Sequence, residues 1–181
     1  YNTAVGTAAL SKVTNNGDTS VTAIGWHSCM SLTTGTYTTA VGAQSLNSVT
    51  SGAYNTTLGF SSGYSLTTGN INVIIGADAG RGSTTASGSV FVGYNAGRGN
   101  TTGNNNIAIG KYAISADATV TGDNNIAIGT NAGDALTSGF NNIAIGKEAF
   151  TRGTTSSENI AIGNNALGQD TYTSSGSVAI G

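Results

Sequence analysis

Proline is absent from this sequence, cysteine and tryptophan occur once each, and charge is scarce. Six Lys or Arg and eight Asp or Glu in 181 residues make a charged fraction of 8%, against roughly a quarter in an ordinary globular domain. That scarcity excludes a charge-driven disordered segment. A net charge of -2 gives no electrostatic footprint for nucleic acid. The lone Cys29 excludes an intrachain disulfide framework. Lack of proline excludes collagen and proline-rich linkers. No apolar run approaches the roughly 18 residues of a membrane span, so no membrane insertion is expected. No cleavable signal pattern opens the chain, and the first residue is Tyr1 rather than Met. A piece of a longer, fibrous chain is therefore expected.

What is abundant is Gly, 28 residues of it, with Thr, Ser and Asn. An apolar-Gly pair recurs from end to end, at Gly6, Gly25, Gly42, Gly59, Gly76, Gly93, Gly110, Gly129, Gly146, Gly163 and Gly181. Successive spacings are 19, 17, 17, 17, 17, 17, 19, 17, 17 and 18. Eleven copies on a 17-residue period define the architecture, and residues 1–181 form a single repeat domain.

Each unit is numbered from its marker Gly as position 0. Position -4 is Asn in seven copies: Asn2, Asn55, Asn72, Asn106, Asn125, Asn142 and Asn159. Positions -3 and -1 are apolar or Thr, position -2 is mostly Ala, and position +3 is always Ala or Ser. A further Gly stands at -7 in six copies, Gly35, Gly52, Gly69, Gly103, Gly122 and Gly139. The alternation from -4 to -1 predicts one short strand per unit, with -3 and -1 on one face and -2 and 0 on the other. β-Branched residues at -3 and -1 suit a buried pleated face. Ala and Gly opposite then leave room for a close neighbour. Gly at -7 is expected to supply a positive φ. A helix is excluded, because no window holds a 3.6-residue period and Gly at this density costs about 1 kcal/mol per residue there.

The fold class that follows is all-β, a β-solenoid (parallel β-helix or β-roll) of about eleven 17-residue repeats. Coils about 4.8 Å apart would make a rod roughly 50 Å long, with the Asn column hydrogen-bonded along its axis. One such coil encloses few inward side chains, so a parallel homotrimer packed through the small residues is expected. Interlocked chains of that kind should resist heat and detergent. Whether the coils belong to one chain or are intertwined among three stays open.

Units such as Tyr1-Asn2-Thr3-Ala4-Val5-Gly6-Thr7-Ala8-Ala9-Leu10 and Asn125-Ile126-Ala127-Ile128-Gly129 resemble the "NTAVGxxAL" arrays of phage tail-fibre proteins. Ser177-Val178-Ala179-Ile180-Gly181 is similar to the "SVAIGxxA" head repeats of trimeric autotransporter adhesins. The 17-residue spacing departs from the shorter adhesin repeat and favours the phage type. The resemblance covers nearly the whole chain and implies a trimeric, extended protein, virion-borne or at the cell surface. Its implied partners are other fibre or baseplate proteins and a host-surface glycan or protein receptor.

Catalytic or metal-binding constellations are hard to find. His27 and Cys29 are the sole residues of their kinds, too few for a structural zinc site. As a nucleophilic pair they lack an orienting partner. Cys29 occupies the +4 slot held elsewhere by Leu10 and Leu46, and reads as a small core hydrophobe. Asp stands at 18, 78, 117, 123, 134 and 170, in no fixed column, against a calcium repeat. No phosphate-loop pattern occurs. Asn55-Thr56-Thr57 and Asn100-Thr101-Thr102 match the glycosylation sequon, as chance allows in so Asn- and Thr-rich a chain. No cofactor, metal or enzymatic activity is expected.

Recognition is the better candidate. Trp26 and His27 fall at +1 and +2, Tyr37 and Tyr54 share position -5, and Arg81 and Arg98 lie one period apart in matching Ala-Gly-Arg-Gly strings. The two Arg are either a solvated pair or a contact for an acidic glycan. Tyr64, Tyr94, Lys111, Tyr112 and Lys147 vary likewise between units. The reading is a non-catalytic shaft or attachment region of an extracellular or virion fibre. Its alternatives are a bacterial adhesin head binding host matrix or glycan, and an ice-binding β-solenoid. Ice binding suits the Thr content, but Thr33-Thr34, Thr67-Thr68 and Thr101-Thr102 are adjacent pairs, whose members point to opposite faces of a strand.

Overall fold

A computed structural model describes residues 1–14, 20–115, 118–168 and 174–181. Among the described residues eleven three-residue strands follow one another: β1 Thr3–Val5, β2 Thr22–Ile24, β3 Thr39–Val41, β4 Thr56–Leu58, β5 Val73–Ile75, β6 Val90–Val92, β7 Ile107–Ile109, β8 Ile126–Ile128, β9 Ile143–Ile145, β10 Ile160–Ile162 and β11 Val178–Ile180. They form one parallel sheet in sequence order, and every pairing matches equivalent repeat positions, as in Ile126 with Ile143 and Ala127 with Ala144. The chain is therefore a β-solenoid wound from a single chain, and it has no helix among the described residues. The two 19-residue steps leave this register intact: Thr3 still pairs with Thr22, and Ile107 with Ile126.

Coil-to-coil hydrogen bonds continue beyond the strands. The Gly42 N–H donates to the Ile24 carbonyl at 2.7 Å and the Leu46 N–H to the Ser62 carbonyl at 3.0 Å. Left-handed corners make this possible. Position +2 (His27, Gln44, Asp78, Tyr112, Glu148), position +4 (Leu10, Cys29, Ile114, Phe150) and position -5 (Tyr37, Tyr54, Ile71, Asn105) all have φ between 44° and 63°. The Gly residues at -7 do not share this conformation, contrary to expectation. They are buried where coils approach, and a Cβ on Gly52 would stand 2.5 Å from the Gly69 carbonyl oxygen. The marker glycines need Gly twice over. Gly129 has φ +134°, and its added Cβ would lie 2.5 Å from the Gly146 carbonyl oxygen, so the eleven stack in one column.

The expected sense of the strand faces is inverted. Inward are -4 and -2; Ala23, Ala40, Ala108, Ala127, Ala144 and Ala161 are fully buried within the chain's own core. Outward are the β-branched ranks at -3 and -1. The physical reason is the narrowness of the coil. Position -2 shares the interior with the residues at +4 and +7, and the space is tight: a Cβ on Gly97 would lie 2.5 Å from the Phe91 ring, and one on Gly133 2.9 Å from Leu136 and 3.4 Å from Ala127. Where +4 is bulky, as at Leu46, Ile114 and Phe150, position -2 is Ala. Where +4 is Gly80 or Gly97, position -2 is Ile74 or Phe91. The small residues thus fill this chain's core and cannot be the interchain contact anticipated for them. Two apolar clusters result, Val21 to Leu66 and Ile74 to Ala166. Near their junction, buried hydroxyls of Ser45, Thr57 and Ser62 bond to one another at 2.6 and 3.0 Å.

Candidate functional site

Three surfaces carry the side chains that architecture does not use. The first is the outward strand face. Its -1 rank runs Val5, Ile24, Val41, Leu58, Ile75, Val92, Ile109, Ile128, Ile145, Ile162 and Ile180, and its -3 rank turns from Thr in β1–β4 to Val or Ile in β5–β11. Mid-rod members such as Ile109 and Ile128 are 37% exposed, and those of the terminal strands more so. Trp26, Phe60 and Tyr94, all at +1 and all about half exposed, flank this face two coils apart, with Ala43 and Ala77 between them.

Aromatic pairs decorate the edges. Trp26 stacks on His27 at 4.0 Å between ring centroids, and Tyr37 on Tyr54 at 5.1 Å, as a ladder at -5 predicts. Tyr94 meets Tyr112 edge-on at 5.6 Å, and the Lys111 ammonium lies 5.2 Å from the Tyr112 centroid. These pairs do not gather into one site with the arginines. His27 is part-exposed against Trp26, whereas Cys29 is fully buried, its thiol pushed up to about 12 by burial. A buried neutral thiol is a core side chain and a poor nucleophile.

The third surface is a cleft on the +5 column, lined by Tyr64, Arg81, Arg98, Thr101, Ala118 and Thr119 among others, with a volume of about 400 Å³. Tyr64, Arg81 and Arg98 are successive members of one column, 17 residues apart. The Ser65 N–H donates to the Arg81 carbonyl at 3.1 Å, and the Gly82 N–H to the Arg98 carbonyl at 2.9 Å. The Arg81 guanidinium lies 5.7 Å from the Tyr64 ring centroid, and its Nε is 3.4 Å from Asp78 Oδ1. Ala118 also lines a second cleft, about 770 Å³, which holds Asp134, Glu148 and Arg152. Burial, and next to it the Glu148 charge, pushes the Asp134 carboxyl above its ordinary range. Among the described residues no group of three His, Cys, Asp or Glu could hold a metal ion. Asp18, Asp117 and Asp170 lie outside those residues.

Sequence reasoning placed Arg81 and Arg98 together but left Tyr64 out of the pair, although its 17-residue offset was visible. The outward aliphatic face was missed because alternation gives two faces without saying which one is inside. No family model, no curated protein and no solved structure matches the chain.

Proposed function

We propose that this chain is a rigid, non-catalytic rod segment of an attachment fibre, virion-borne or at a cell surface, and that it assembles as a parallel homotrimer through its outward strand face. One observation carries the reading: two ranks of mostly aliphatic side chains run unbroken along all eleven strands, pointing away from the core. Contiguous apolar surface beyond a few hundred Å² is unusual on a monomer and favours burial against a partner. A second copy offers the matching surface, rank against rank. A fibre joining an anchor at one end to a target at the other needs its chains parallel. That selects a cyclic axis along the rod, whereas a twofold axis across it would set the rods antiparallel. The likeness to phage tail-fibre arrays supports three copies. Among the described residues the buried Asn column bonds to the backbone and to itself from coil to coil, which supports an architectural role.

Mass measurement by light scattering tests the assembly. Three times the 17.8 kDa chain is expected, with Ile109→Asp and Ile128→Asp dispersing it while the strand signal persists. A parent protein that stays monomeric at high concentration overturns the reading.

Ice binding has one observation in its favour. β1–β4 present Thr3, Thr22, Thr39 and Thr56 outward beside Val5, Ile24, Val41 and Leu58. The seven remaining strands replace that Thr with Val or Ile, which is why assembly is the preferred reading. Thermal hysteresis by the dispersed protein would reverse the preference.

A further inference from the structure

We propose that the cleft formed by Tyr64, Arg81 and Arg98 is a binding site for a carboxylated saccharide, a uronate or sialate unit. The inference deepens the attachment reading and rests on it for the source of the ligand. The geometry of the cleft stands independently, since none of its lining residues belongs to the outward strand face. Covering that face does not in itself engage any of them.

Three observations converge. First, two of the six cationic side chains of the whole chain occupy adjacent rungs of one column, both exposed. Stacking like charges on adjacent coils carries a repulsive cost, and neighbouring units fill the same slot with Asn47 and Ser115. Second, an aromatic ring caps the column. Tyr64 sits one coil before Arg81 and is half-buried against its guanidinium, leaving ring surface toward the cleft. A flat ring beside a cation fits a pyranose whose apolar face stacks while its carboxylate turns to the charge. Third, Thr101 and Thr119, which carry hydroxyls, also line the cleft. Thr101 Oγ1 donates to the Val120 carbonyl at 3.1 Å, which leaves its oxygen free to accept from a sugar hydroxyl. Each guanidinium has five donors, and the Asp78 contact of Arg81 runs through its Nε. The volume of about 400 Å³ falls within the range of small-ligand sites and holds one or two sugar rings.

Binding is measured by calorimetry with trigalacturonate, 3'-sialyllactose and neutral lactose, on the parent and on Arg81→Gln, Arg98→Gln and Tyr64→Ala. All three positions are at the surface, and strand content and melting confirm that each variant folds. At least one acidic probe should bind, and which one does identifies the source. Each Arg substitution should weaken it about ten-fold or more, Tyr64→Ala should weaken it too, and lactose should not bind. Equal binding of lactose, unchanged affinity in Arg81→Gln/Arg98→Gln, or no binding of either acidic probe each overturns the site. Mass measured on the same samples separates the two readings. A trimer that ignores both acids sinks the cleft alone, and a monomer that binds one sinks the fibre assembly alone.

Discussion

The side-chain amide of Asn142 donates to Asn125 Oδ1 at 3.0 Å, and the same oxygen accepts the Asn142 backbone N–H at 3.0 Å. The second amide proton of Asn142 goes to the Ser156 carbonyl at 2.9 Å, and its own Oδ1 accepts from both nitrogens of Asn159. Every polar atom of this fully buried side chain is thus paired along the rod axis. Asn142→Ala would strip the buried Asn159 N–H of its acceptor and the Ser156 carbonyl of the Asn142 amide proton. At about 1–3 kcal/mol for each such group, a loss of roughly 2–5 kcal/mol is expected in urea melts. Asn141→Gly, at an exposed corner with φ 56°, should change stability little. Equal effects at the two positions would refute the ladder's structural role.

Phe91 and Gly97 divide the space of one layer between them. A Cβ on Gly97 would stand 2.5 Å from the Phe91 ring, and the residue also has φ +63°. Phe91→Ala should cost about 3–5 kcal/mol through the cavity it leaves. Gly97→Ala should be costly in the parent yet cost only about 1–2 kcal/mol, the backbone penalty alone, in the Phe91→Ala background. The two changes should therefore couple. Additive effects in a double-mutant cycle would show that the layer relaxes without regard to the ring.

Period, strand position, the stacked glycine column and the Asn ladder were all legible in the sequence, because each is a statement about equivalence between coils. Register follows directly from a 17-residue offset. Burial does not, since Ile126 and Ala127 differ only in which side of a three-residue strand they occupy, and hydrophobicity alone favours the wrong one. The coil is too narrow to hold an Ile at every -2 and a Leu or Phe at every +4. That constraint appears only once the corners are known. The corners in turn were hidden because non-glycine residues such as Leu10, Tyr37 and Ile114 adopt left-handed φ there, against their intrinsic preference. The cleft was half legible: the Arg81–Arg98 offset is in the sequence, the Thr119 wall is not.

Ile71 is 66% exposed and holds φ at 60°, a conformation that a β-branched residue reaches at a cost of about 1–2 kcal/mol. Equivalent corners use Asn105, Asn124 and Asn141, and Asn tolerates this region well. Ile71→Asn should raise stability by about 1 kcal/mol. The comparison belongs in the Ile128→Asp background, so that assembly does not contribute. A lower urea midpoint there would mean that Ile71 has packing partners worth more than the strain.

Asp134 gives stability a dependence on pH whose sign is fixed. Its carboxyl is raised, first by burial and then by Glu148, so the folded chain holds that proton more tightly than the unfolded chain does. Stability from this group is full below the unfolded pKa of about 3.9 and declines as pH rises through the higher folded value. Asp134→Asn keeps an oxygen for the Ala135 N–H and removes the charge. The variant should gain on the parent as pH rises from about 4 toward neutrality, when urea midpoints are compared pairwise. A gain that shrinks over the same range would contradict the shift.

Cys29 provides a reporter for opening of the rod. Its thiol is fully buried at a +4 corner and pushed up to about 12 by desolvation, which outweighs the Ser28 hydrogen bond acting the other way. The thiolate is the reactive species. At mildly alkaline pH the folded chain should therefore resist a disulfide-exchange reagent that consumes an ordinary exposed cysteine quickly. In concentrated guanidinium the same chain should release one equivalent, since it has one cysteine. Between these limits the labelling rate follows the population of open forms. It should be faster in Leu46→Ala, which removes a neighbour from the same buried cluster, than in Phe150→Ala, whose side chain belongs to the other. Equal acceleration by both would mean that the two clusters open as one unit. Rapid labelling of the untouched parent would show that the corner at Cys29 is not closed in solution.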